Sequence, residues 1–368
     1  MSRLQAATKP VSSSAIQHYS TTSIQKYISP ERLDQLGRAF LLSSGHSQLF
    51  TGMIIIPVMV IPQVRTSFVV GVLVTCVIAV GCSSDSESAN STVPAGDCPE
   101  QPIQVVVSVD QWGDIVEQLA GDCATVTTVI ESSKVDPHDY EPTTGDAAKF
   151  TDAELVVVNG MDYDPWATKI VATLNPEPPV VDAGKVAGLS DGENPHVWYG
   201  PDYVFEFASA VTAELSKLSP KAAEYFTAQA DSWNTSMQPY RDEIASIKAS
   251  YSGSTYAATE SVLDYMAVAL GLKDVTPAGF AAAAANETDP SPGDVASFGK
   301  LIKAGTADVL IYNVQTVGAL PEQIRSAADQ VKVPTVEVTE TVALGATSFE
   351  QWQVEQLEAL SAALKASL

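Results

Sequence analysis

The sequence predicts an α/β protein of two lobes, each a mostly parallel sheet flanked by helices, with one long connecting helix between them. Three observations carry this. From residue 101, short apolar runs of strand type alternate with amphipathic runs of helical period. Between residues 219 and 252 a polar, helix-prone stretch interrupts the alternation. It then resumes from 253 to 368. Repeated β-α units imply parallel strands with helices on both faces, and lobes of this length can bury cores of their own.

The elements follow in order. Residues 103–109 read as a buried strand, 111–119 as a helix, 124–130 as a strand, 146–151 as a short helix and 155–158 as a strand. Residues 164–174 read as a helix and 179–181 as a brief strand. From Pro201 to Leu218 apolar residues recur at three and four (Val204, Phe207, Val211, Leu215, Leu218), with the proline suited to a first helical turn. The connecting stretch holds Pro239, which should kink or break it. In the second half, 255–258 reads as a strand, 262–270 as a helix, and the run 280–284 as a short, tightly packed strand. Ser291-Pro292-Gly293-Asp294 opens a helix with a capping serine, a proline at its first position and an acid at its third. Strand 309–312, helix 321–329, strand 335–338 and helix 349–364 complete the chain.

Upstream of the lobes the pattern changes. Phe68 to Val80 is an apolar run with Arg65 before it, ending in Ala79-Val80-Gly81-Cys82 and followed by a Ser/Asp/Glu-rich stretch. Residues 53–81 thereby resemble a bacterial lipoprotein signal, cleaved before a Cys82 that takes the lipid; Pro57, Pro62 and Arg65 argue against a retained membrane helix. Residues 1–52 read as a misassigned upstream region, with translation starting at Met53 or Met59. Residues 82–100 read as a flexible tether. The expected location is extracytoplasmic, lipid-anchored to the cell membrane.

Charge and cysteine usage narrow the function. Net charge is -24; the first 81 residues hold six of the 20 basic and two of the 44 acidic side chains, leaving 14 against 42 in the remainder. Such a surface excludes nucleic-acid binding, which needs Lys and Arg at phosphates. Of four cysteines, Cys76 leaves with the signal and Cys82 is lipidated. Cys98 and Cys123 remain as an even pair in an oxidising compartment, where a disulfide is expected.

Only two histidines lie beyond the signal, and each follows a proline: Asp136-Pro137-His138 and Asn194-Pro195-His196. Proline stiffens both turns, and a neutral imidazole on a rigid loop is a common ligand for transition metals. In open α/β sheets ligands bind beyond the carboxyl ends of strands. His138 follows strand 124–130, His196 follows the brief strand by way of a loop, Glu260 follows strand 255–258 and Glu340 follows strand 335–338. Two fall in each lobe, so an ion held by all four sits in the cleft between lobes. Two imidazoles and two carboxylates suit Mn²⁺ or Zn²⁺, and the lack of a thiolate disfavours copper(I). Plainer roles exist: Glu260 capping the helix that begins at Ser261, Glu340 as a solvated loop acid, either histidine as a hydrogen-bonding loop residue. Trp112, Trp166 and Trp198 are expected to pack against the core or cleft wall.

Four segments carry a resemblance: Lys134–Pro142 (KVDPHDYEP), Asn194–Trp198 (NPHVW), Thr259–Tyr265 (TESVLDY) and Asp289–Asp294 (DPSPGD). They resemble the zinc/manganese solute-binding lipoproteins of ABC importers, the cluster A-I family, over about residues 101–368. The resemblance implies a monomeric lipid-anchored receptor that hands its metal to an ABC permease and its ATPase, with His138, His196 and Glu260 as ligands. The fourth family ligand is usually Asp, and Glu340 stands at the matching position. Glu260, where zinc-selective members often have a histidine, leans towards manganese. A receptor is preferred to an enzyme. The rivals are a metal-dependent hydrolase with three ligands plus water, disfavoured by the lack of a His-Glu-x-x-His helix, and a metal-stiffened surface adhesin.

Overall fold

A computed structural model of the protein describes residues 98–131, 140–286, 288–316 and 318–367. The signal segment, Cys82 and His138 lie outside the described residues. The rest belongs to one compact unit within Ser86–Leu368.

The first lobe holds β1 (Ile103–Val109), α1 (Asp110–Ala120), β2 (Ala124–Ile130), α2 (Thr144–Lys149), β3 (Leu155–Val158), α3 (Pro165–Val171), β4 (Val180–Asp182), α4 (Ala183–Val186) and α5 (Pro201–Leu218). Its strands pair in parallel in the order β2-β1-β3-β4. β1 and β3 are apolar along almost their whole length, since a central parallel strand is covered on both faces. A disulfide joins Cys98, ahead of β1, to Cys123, just before β2, with Cα atoms 5.0 Å apart.

Residues 219–252 form a 3-10 turn, Pro220–Ala222, and then two helices, α6 (Ala223–Ser236) and α7 (Gln238–Tyr251). The break falls at Met237, and Pro239 sits in the first turn of α7, where its missing amide leaves no hydrogen bond unmade. α6 packs on α1 and α5, whereas α7 packs on helices of the second lobe.

That lobe repeats the first. It comprises β5 (Thr255–Ala258), α8 (Asp264–Leu270), β6 (Lys273–Asp274), α9 (Ala278–Ala285), α10 (Pro292–Lys303), β7 (Val309–Asn313), α11 (Ala319–Val331), β8 (Thr335–Val338) and α12 (Phe349–Ala366). The strands are again parallel, in the order β6-β5-β7-β8. Ser291 caps α10 by accepting from the Asp294 amide, as its sequence requires.

Two expectations need correction. Residues 280–284 are not a strand but lie in the helix α9. An alanine run has no apolar period of its own, and alanine is the best helix former. Only Phe280 is buried there, against Phe298 at 4.6 Å between ring centroids. Nor does each lobe keep a separate core. The main cluster runs through both, from Val107, Trp112 and Phe207 to Met266, Ile311 and Trp352. A smaller cluster of Phe280, Phe298, Ile302, Leu310 and Ile324 covers the other face of the second sheet. Successive residues of β7 point to opposite faces, so Ile311 joins one cluster and Leu310 the other. An apolar seam between lobes resists wide opening, which would expose it to water.

Candidate metal centre

In each sheet the chain steps from the first strand to the second on one side, then crosses back to the third on the other. The carboxyl ends of β1 and β3, and of β5 and β7, therefore flank a reversal of winding, where a crevice opens. Glu260 lies two residues beyond β5, Glu340 two beyond β8, and Asn313 is the last residue of β7 between them.

Asn313, 1% exposed, uses one side-chain nitrogen to donate to both acids, to Glu340 Oε1 at 2.7 Å and to Glu260 Oε2. Glu340 is 5% exposed, not a solvated loop acid. Its backbone amide donates to Gln315 Oε1 at 2.6 Å, which fixes the turn after β8. Its Oε2 accepts from the Tyr163 hydroxyl at 3.3 Å, and that hydroxyl accepts from Gln111 Nε2 at 3.0 Å. Burial, reinforced by the Glu340 charge, pushes the Tyr163 phenol well above its ordinary range and keeps it a donor. Tyr163 reaches the site because the chain after β3 passes through positive φ at Gly160, Met161 and Asp162. At Gly160 a Cβ would stand 2.2 Å from Asp182 Oδ1, so this turn requires glycine.

Glu260 is the residue before the 3-10 turn Ser261–Leu263, yet its side chain makes no capping bond. The carboxylate turns to Asn313 instead. Burial pushes its pKa up and the Glu340 charge adds to that, while the Asn313 hydrogen bond opposes both.

His196 lies between α4 and α5, just before the turn Val197–Tyr199, and is 5% exposed. Its backbone amide donates to Asn194 Oδ1 at 3.0 Å, and its ring Nδ1 lies 2.6 Å from the same oxygen. Asn194 Nδ2 donates to Ser261 O at 2.7 Å, which settles the orientation of the amide. Its oxygen can only accept, so Nδ1 carries the proton and Nε2 is the basic nitrogen. Nε2 faces Glu340 Oε2 at 3.7 Å across the seam between lobes. Tyr265 OH donates to Asn194 O at 2.8 Å, tying this loop again to the second lobe. The Trp198 ring meets His196 edge-on at 5.2 Å; Trp112, Trp166 and Trp198 are all buried packing residues.

Of the residues singled out from the sequence, the structure brings His196, Glu260 and Glu340 to one place, and His138 lies outside the described residues. Among the described residues no group of three or more His, Cys, Asp or Glu is spaced to hold one ion. In this arrangement the Asn313 amide stands between the two acids. Sequence reading missed Asn313, Asn194, Tyr163 and Gln315. Asn313 ends a strand, so the rule that found the two glutamates would also have found it. Ligand atoms on a tetrahedral ion at ~2.1 Å stand roughly 3.4 Å apart. The separation of His196 from Glu340 is within a few tenths of an ångström of that.

Comparison with known proteins gives the same fold and a family. Residues 105–363 match the family of the periplasmic zinc-uptake complex component A. The manganese-binding lipoprotein MntA of Halalkalibacterium halodurans is 26% identical over 186 residues, 50% of this chain and 59% of that protein. The iron-binding protein YfeA of Yersinia pestis is 26% identical, over 47% of this chain and 58% of its own. The chain thus spans under two thirds of these two relatives. The high-affinity zinc uptake protein ZnuA of Bacillus subtilis is 24% identical, over 66% of this chain and 79% of that protein. Among solved structures, the Pseudomonas aeruginosa protein FpvC in complex with Mn²⁺ superposes with a TM-score of 0.61 at 21% identity, over 73% of this chain and all of that one. The Mn-bound periplasmic metal-binding protein of Candidatus Liberibacter asiaticus gives 0.60 at 18% identity, over 71% of this chain and 99% of its own. At such identities the likeness establishes the fold.

Proposed function

We propose, from the premise that this chain belongs to the zinc-uptake complex component A family, that it is an extracytoplasmic receptor for a divalent transition metal, Mn²⁺ or Zn²⁺. It holds the ion in the cleft between lobes 101–218 and 253–368 and delivers it to an ABC permease with its ATPase. His138, His196, Glu260 and Glu340 are the ligands. Lipid on Cys82 anchors it to the membrane; no helix among the described residues is long and apolar enough to cross one.

The observation that carries this reading is that Asn313 joins Glu260 and Glu340 at the carboxyl ends of β5, β7 and β8, while His196 from the first lobe faces Glu340. A basic imidazole nitrogen and two carboxylates, with His196 and Glu340 buried and Glu260 half-buried, form a donor set for a borderline cation, and the two negative charges balance it. The named metals of the relatives support the same class of cargo. A site closed by protein ligands retains its ion, whereas a catalytic metal keeps a position for water. The reading is therefore a receptor and not an enzyme.

Elemental analysis of protein purified without added metal, followed by competition of Mn²⁺ against Zn²⁺, tests it. One ion per chain is expected. Failure to bind either ion would end the proposal.

A further inference from the structure

Asp110, Asp114 and Gln118 recur at every fourth position of α1, so they share one face of that helix. The opposite face carries Trp112, Ile115, Val116 and Leu119 into the core. All three polar side chains bond into the segment that follows Glu340 in the other lobe. Asp110 Oδ1 accepts from the Val342 amide at 3.3 Å, and Asp114 Oδ2 accepts from the Phe349 amide at 2.6 Å. Gln118 Nε2 donates to Glu350 Oε2 at 3.1 Å and to Asp114 Oδ2 at 2.7 Å.

These contacts complete something local. Phe349 is the first residue of α12, and its amide is among those a helix leaves without an internal partner. Ser348 caps the Gln351 amide from within the second lobe. Asp114 caps Phe349 from the first. Closer to the site, Tyr199 OH donates to Thr339 O at 2.7 Å. Segment 339–350 is thus held from the first lobe at both ends, with Glu340 near one of them.

We propose that Asp110, Asp114 and Gln118 form an interlobe latch. They are positioning residues that hold segment 340–350 on α1, so that Glu340 is presented to His196, and breaking them sets how fast the metal leaves. The proposal rests on the metal-binding reading above. None of the three is a ligand, and none contacts one directly in the described network.

The test is metal release from preloaded protein, Mn²⁺ and Zn²⁺ separately, followed after rapid mixing with excess chelator. Losing one partly buried interlobe hydrogen bond predicts release about tenfold faster in Asp114→Ala and in Asp110→Ala. Asp114→Asn keeps an acceptor oxygen and should restore release to within about threefold of the parent. Ser291→Ala removes the α10 cap, away from the latch, and should leave the rate unchanged although it also lowers stability. If Asp114→Ala does not fold, Gln118→Met carries the same test with a rise of about threefold. Parent-like release in the latch variants, or equal acceleration by Ser291→Ala, overturns the latch while leaving metal binding intact. A parent protein that takes up neither ion overturns the metal reading, and the latch with it.

Discussion

His196 Nε2 faces Glu340 Oε2 at 3.7 Å, although the two residues come from different lobes and different loops. The Asn194 side-chain oxygen lies against the far ring nitrogen, which leaves the near one turned to a buried carboxylate. Neither group gains a hydrogen bond from the other at that distance. A cation between them would gain from both.

Glu340→Gln follows directly. Removing the buried Glu340 charge from beside the half-buried Glu260 relieves like-charge repulsion, so the metal-free variant should be as stable as the parent or more so. The stabilisation that saturating metal confers, ~4 kcal/mol at a thousandfold excess over Kd, should vanish. Thermal scans with and without Mn²⁺ or Zn²⁺ read both effects. A variant that keeps the full metal-induced shift would take Glu340 out of the site.

Asn313→Leu has the opposite signature. It strips the amide that serves both carboxylates and leaves them desolvated and facing each other. The metal-free protein should lose about 1–3 kcal/mol, the cost of unsatisfied buried polar groups. Metal should recover part of that loss. Urea midpoints of the two forms decide it; equal losses in both would make Asn313 a packing residue only.

The Asp110 carboxyl is pushed up to about 7, mainly by burial, with the Val342 amide opposing and the Glu131 charge adding. Burial raises Asp114 in the same direction. Between the ordinary aspartate value near ~4 and about 7, the folded chain holds a proton that the unfolded chain has released. Stability should therefore fall as pH rises through that window. Asp110→Asn should flatten the slope and exceed the parent in stability at pH ~8, measured by denaturant midpoints across the range. A parent whose midpoint climbs from pH ~5 to ~7 would contradict the assignment.

Reduction of Cys98–Cys123, or Cys98→Ser with Cys123→Ser, opens a loop of 25 residues. The chain-entropy model gives a loss of about 3 kcal/mol. Metal stoichiometry should stay at the parent value, because the bridge lies at the amino ends of β1 and β2, away from the strand ends that bear the proposed ligands. A fall in the denaturation midpoint with unchanged metal content is the expected pair of results.

Much of the scaffold was legible because its signals are local. Pro201 and the three-four spacing of Val204, Phe207, Val211 and Leu215 mark α5 to the residue, and β5 and β8 appear with their observed bounds. Ser291-Pro292-Gly293-Asp294 announces α10 because a cap is a property of four adjacent residues. Where no local signal exists, reading failed. The alanines of α9 carry no period, and β6 is two residues paired only through β5. The shared core was hidden for a related reason, since apolar periodicity says which face is buried but not against what.

By itself the sequence determined that Glu260 and Glu340 follow strands of one lobe and His196 a stiff turn of the other, because strand ends and prolines are written in neighbouring residues. Only the tertiary structure decided that Asn313 links the two acids, that Asn194 sets the tautomer of His196, and that α1 grips the segment after Glu340. Those relations join residues far apart in the chain. They depend on strand order and on how two sheets pack through a common core, which no short-range pattern specifies.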